Sequence, residues 1–127
     1  MGHFETDTLT ETKIEYKIAN QVEAESQVIV HCTIKPFTCD GARMWPSTYL
    51  FDKHSAHKSK LLHIENISMY PVWTFFNPRE PYHFTLIFEG LPKSCILFDL
   101  KEYIPEPRGF YFPNIPRNQS DVYHVHF

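Results

Sequence analysis

Apolar and polar positions alternate in short runs along this chain, and the run Phe84 to Glu102, FTLIFEGLPKSCILFDLKE, organises the rest. Phe84, Leu86 and Phe88 alternate with Thr85, Ile87 and Glu89, the period of a strand with one face on a core. Gly90 tolerates a positive φ and Pro92 has no N–H for a ladder, so the two mark a connection. Beyond it, Ile96, Phe98 and Leu100 are predicted to share one face of a second strand, with Cys95, Leu97 and Asp99 on the other. The connection is short enough for a hairpin and equally able to carry the chain between two sheets.

The same alternation recurs elsewhere. After a polar arm over residues 1–11, Ile14, Tyr16 and Ile18 predict an outer strand within Thr12–Ile18, and Val28, Val30, Cys32 and Ile34 predict another that Pro36 closes. Phe37 to Pro46 reads as irregular, with a turn at Cys39-Asp40-Gly41, and Ser47 to Phe51 restarts extended structure. The polar tract Asp52 to Lys60 reads as a hairpin tip, and Leu61 to Asn66 as its returning strand. Ile67 to Tyr82 combines three prolines with Trp73, Phe75 and Phe76, the pattern of a long loop folded over the end of a core. Arg108 to Phe112, a proline-punctuated turn through Pro116 and a last strand Val122 to Phe127 complete the chain. About seven or eight short antiparallel strands without a helix must bury their faces on one another, so an immunoglobulin-like β-sandwich is the expected fold, with a β-barrel as the alternative.

Composition narrows this picture. A chain of 127 residues suits one domain over 1–127, able to bury roughly two-thirds of its unfolded surface. Aromatics at 16% exclude ordinary disorder. The formal charge of −3 offers no basic field, so neither a nucleic-acid partner nor binding to an anionic membrane is expected. No apolar run approaches the roughly 20 residues of a membrane helix, and the opening MGHFETDTLTETK lacks a signal-peptide core. Cys32, Cys39 and Cys95 are odd in number and lack a C-x-x-C pair, which predicts free thiols. Cys32 and Cys95 have the separation of an antibody-domain disulfide, but Trp45 between them falls in a predicted loop beside Pro46.

Four segments in order, Pro46-Ser47-Thr48-Tyr49-Leu50, Lys60 to Ile67, Phe84 to Ser94 and Phe98-Asp99-Leu100-Lys101-Glu102, resemble a group of bacterial Ig-like sandwich domains. In those domains a TYL, a KL…GI and an F-x-L-x-F-x-x-L-P-K…F-D-L/F-x-E segment follow in this order. The resemblance implies an exported or envelope accessory module, periplasmic or at the cell surface, without catalytic residues.

The candidate chemistry is sparse. His124 and His126 are two apart on a strand and share a face, where His31 is a candidate third metal ligand; a solvent-facing histidine pair is the plainer reading. His54 and His57 lie in the polar tip, where a solvated loop is again plainer. Cys39 in its turn is either a reactive thiol or a bystander. No Ser-His-Asp or Cys-His arrangement has a local signature, so no enzyme activity, catalytic residue, metal or cofactor is expected. Trp45, Tyr70, Trp73, Phe75, Phe76 and Tyr82 either cap the core or form an aromatic surface. Of these, Trp45, Tyr70, Trp73 and Phe76 are the candidate ligand-binding residues, if the connections Phe37–Pro46 and Ile67–Tyr82 meet at one end of the sandwich. Two functional classes follow: a non-enzymatic interaction or accessory domain for a protein, peptide or glycan, or a metal- or thiol-dependent activity on the histidines or Cys39.

Overall fold

The computed structural model describes residues 26–127, so the arm and the strand expected over Thr12–Ile18 lie outside the described residues. Among the described residues the chain is all-β, as expected, with nine strands and no helix. They are β1 (Gln27–Ile34), β2 (Gly41–Ala42), β3 (Thr48–Asp52), β4 (Lys58–Glu65), β5 (Thr74–Phe75), β6 (Tyr82–Glu89), β7 (Leu97–Glu102), β8 (Tyr111–Pro116) and β9 (Val122–His126).

Seven of them form one mixed sheet in the order β8-β7-β3-β4-β6-β1-β9, and β2 and β5 form a small second one. The large sheet is nearly closed, like a barrel. Its curl runs through β4. Residues Lys58 to Lys60 pair with β3, whereas Leu61 to Glu65 pair with β6, with a register shift between Leu61 and His63. A bulge bends the strand that carries it, so one strand serves both halves of the sheet. The two edges of the sheet are bridged by a side chain: Phe127, just past β9, packs edge-on against Phe110, just before β8, and Phe112 within it, with centroids 4.7 and 6.3 Å away. Pairing is antiparallel except between β1 and β9, which run parallel.

The predicted alternation fills the interior. Val28, Val30, Leu50, Leu86, Phe88, Phe98 and Leu100 have no exposed surface, and Phe98 meets Tyr123 edge-on at 5.0 Å. Glu89 to Leu97 is not a hairpin, because β6 and β7 are not neighbours; the connection crosses between the two halves of the sheet. Ile96 therefore departs from the sequence expectation. It precedes β7 and is 66% exposed, while Phe98, Leu100 and Glu102 point inward. Arg117 holds this crossing in place, donating to the carbonyls of Leu91, Pro92 and Cys95 and pairing with Asp121 at 2.6 Å. Asp121 also accepts the Tyr123 hydroxyl at 2.9 Å, and burial is the main reason the phenol is pushed up to about 12.

The hairpin tip lies where expected but is shorter, because Lys58 to Lys60 already belong to the returning strand β4. Buried Asp52 accepts the His54 N–H at 3.0 Å and the Ser55 hydroxyl at 2.7 Å, a local turn made by one carboxylate. Burial pushes its pKa up, but these bonds together with Cys95 and the charge of His54 outweigh burial and hold it below the ordinary value. Cys32, Cys39 and Cys95 are free, the first and last buried.

Candidate binding surface

The two proline-bearing connections meet at one end of the sheet and are stitched together by their backbones. Gly41 and Ala42 in β2 pair with Phe75 and Thr74 in β5, and Met44 bridges Met69. The Met44 N–H donates to Ser68 O at 2.7 Å, Tyr70 N–H to Met44 O at 2.6 Å, and Phe76 N–H to Asp40 O at 3.0 Å. A Cβ at Gly41 would lie 3.0 Å from the Phe75 ring and 3.2 Å from Thr74 O, so a glycine suits this close crossing.

On that scaffold five side chains stack in series. Trp45 lies on Tyr70 with ring centroids 3.8 Å apart and planes 30° apart. The Arg43 guanidinium follows, 4.5 Å from the Tyr70 centroid and 3.9 Å from that of Trp73. Phe75 stacks beyond Trp73 at 6.4 Å. Arg43 Nη1 donates to Pro71 O at 3.0 Å, and its Nη2 lies 3.9 Å from Glu106. A guanidinium held between two ring faces keeps its planar fork fixed and adds about 0.5–1 kcal/mol per exposed face. The ladder leaves apolar surface open to solvent: Tyr70, Val72, Trp73 and Phe75 are 42%, 61%, 47% and 74% exposed.

Beside the ladder lies a cavity of about 510 Å³, lined by Arg43, Trp45 and Trp73 on one side and by Glu106, Arg108 and Phe110 on the other. Glu102, buried, also lines it and clamps the Trp45 and Phe110 segments together. Its carboxylate accepts the Trp45 N–H at 2.8 Å and the Phe110 N–H at 3.2 Å. Burial raises its pKa, the two amides and Arg43 pull it down, and Glu106 pushes it up; the net direction is upward. Gly109 makes the clamp possible, because a Cβ there would lie 2.5 Å from Glu102 O.

Three of the four candidate ligand-binding residues come together here: Trp45, half-buried, and Tyr70 and Trp73, both exposed. Phe76 does not join them. It turns inward, stacks on Tyr82 at 4.2 Å and packs against the core, because β5 alternates and Phe75 takes the outward position. Phe75, named among the aromatics but not among the four, takes that place, and Arg43 is the residue that sequence reasoning missed. Its signal is the alternation of buried Ala42 and Met44 with half-buried Arg43 and Trp45.

The histidines lie elsewhere. His31 and His124 stack on facing positions of β1 and β9 with centroids 5.1 Å apart, and His126 lies opposite Thr33. His31 Nδ1 is engaged by Thr85 Oγ1 at 2.9 Å, and His83 Nδ1 by Thr33 Oγ1 at 3.0 Å. Among the described residues no group of three His, Cys, Asp or Glu is placed to hold a metal ion, so His31, His124 and His126 do not form the candidate triad. In the hairpin tip, His57 Nε2 and Ser59 Oγ are 2.9 Å apart and the His54 backbone caps Asp52. Cys39 is exposed at the cavity rim. Burial pushes the Cys32 thiol up, and burial with the nearby Asp52 charge does the same to Cys95, which leaves both poor nucleophiles. No protein-family model matches this chain, and neither a curated protein nor a solved structure matches it.

Proposed function

We propose that this chain is a non-enzymatic interaction module that recognises a protein or peptide through the aromatic–arginine ladder. The observation that carries this reading is the run Trp45, Tyr70, Arg43, Trp73, Phe75, ordered by its own stacking yet exposed at its outer rings. Trp, Tyr and Arg are the residues that dominate binding energy at protein interfaces, because they bury large area with few rotors. Holding them in one stack before a partner arrives lowers the ordering cost of association. Val72, Trp73 and Phe75 set large apolar side chains in solvent beside the stack, surface that a partner would cover. The cavity beside the ladder offers a place for one partner side chain.

Selection of a random peptide library on the intact protein tests this. Enriched peptides should bind the parent protein and lose about 30-fold or more in affinity with Trp73→Ala, the effect of a strong hot spot. Failure to enrich any sequence, or peptides that bind Trp73→Ala and Phe75→Ala as well as the parent, would refute the proposal. Selective binding of neutral glycans at the ladder would reassign its ligand.

A further inference from the structure

The outward face of the other half of the sheet carries a pattern that the ladder does not absorb. Across β8, β7, β3 and β4, Tyr111 faces Lys101, Lys101 faces Tyr49, and Tyr49 faces Lys60. Ring and ammonium therefore alternate from strand to strand. Lys101 Nζ sits 4.7 Å from the Tyr103 centroid and 5.5 Å from that of Tyr111, and Lys58 Nζ sits 4.5 Å from Tyr49. Tyr103 and Tyr111 are about half exposed. The core does not call for these residues, since Thr48, Leu50, Phe98 and Leu100 already fill the inward positions. Asp99 on this face is occupied by Lys53 at 3.3 Å and the Asn114 N–H at 2.8 Å. Lys58, Lys60 and Lys101 take part in no ion pair among the described residues.

We infer that this face binds an acidic polysaccharide of the uronic-acid type. Sheet geometry sets the spacing of the cations at about 7 Å along β4 and about 10 Å across two strand steps. That is too sparse for duplex nucleic acid, which carries one phosphate charge per ~1.7 Å of helix axis, and the net charge of −3 works against so dense an anion; a single strand is discriminated by the hexathymidylate comparator. A polyuronate carries one carboxylate per sugar and an apolar C–H face on each ring. Its sugars lie on the tyrosine rings while its carboxylates draw the neighbouring ammonium groups off those rings, so each element of the lattice has a counterpart in the ligand. Tyr111 also lines the cavity beside the ladder, whereas Tyr49, Lys58, Lys60 and Lys101 do not, so loss of uronate binding on the lysine variants leaves the peptide reading untouched.

Fluorescence anisotropy with labelled hexagalacturonate on the whole protein tests the inference, with a neutral glucan hexamer and a hexathymidylate as comparators. Hexagalacturonate should bind saturably and both comparators about tenfold more weakly or worse. Lys101→Gln and Tyr111→Ala should each weaken it about fivefold, the loss of a desolvated cation–ring or stacking contact, whereas Tyr111→Phe and Trp73→Ala should not. Lys58→Gln, in a different strand, supplies a second variant should Lys101→Gln fold poorly. No saturable uronate binding, hexathymidylate binding as tightly, neutral glucan binding as tightly, or Tyr111→Ala behaving as the parent overturns it.

Discussion

Replacing Glu102 by alanine should unfasten the two sides of the cavity at once. The carboxylate is 5% exposed and accepts both the Trp45 and Phe110 N–H groups, so its loss leaves two part-buried donors without their partner. An unsatisfied buried donor costs about 1–3 kcal/mol, and relief from burying a charge offsets part of that, so the net loss should be about 2–4 kcal/mol. Urea titration followed by circular dichroism reads it as a fall in midpoint at constant slope. The pH dependence supplies an independent sign. A carboxyl whose folded pKa lies above its unfolded value takes up a proton more readily when folded, so stability falls as pH rises through the window between the two. Glu102→Gln should remove that component. A Glu102→Ala midpoint equal to the parent, or a Glu102→Gln pH profile that superimposes on it, would refute the clamp.

Three further outcomes follow from the same structure. Phe88→Ala, at a position with no exposed surface, should cost about 3–5 kcal/mol by denaturant titration. The carboxylate of Asp52 is held below its ordinary pKa, so its contribution is present above the unfolded pKa and disappears as pH falls through the folded one; Asp52→Asn should flatten the acid limb of a stability–pH curve. With all three cysteines free, reductant should leave the melting temperature unchanged, and a fall of many degrees would reveal a disulfide.

Much of the interior was legible because a period of two is a local signal. Val28, Val30, Cys32 and Ile34, and likewise Phe84, Leu86 and Phe88, are buried as their alternation demands. Ile96 misled because the alternation extends past the strand's start at Leu97, and an apolar residue in the crossing looks the same in sequence as one in the ladder. The bend of β4 depends on one residue of register at Leu62, and the parallel pairing of β1 with β9 on distant segments meeting; neither leaves a local trace. The meeting of the two loops was a hypothesis prompted by the tryptophan each carries, and the β2–β5 pairing that brings it about has no local trace. The place of Arg43 between Tyr70 and Trp73 was not legible either, since it arises from that pairing.

The proposal that the ladder is a recognition surface is tested most directly by mapping backbone amide shifts while a library-selected peptide is titrated into isotope-labelled protein. Perturbations should centre on Arg43, Tyr70, Trp73 and Phe75, with β9 unmoved. Shifts centred on His124 and His126 at the β9 edge, with the ladder silent, would contradict it.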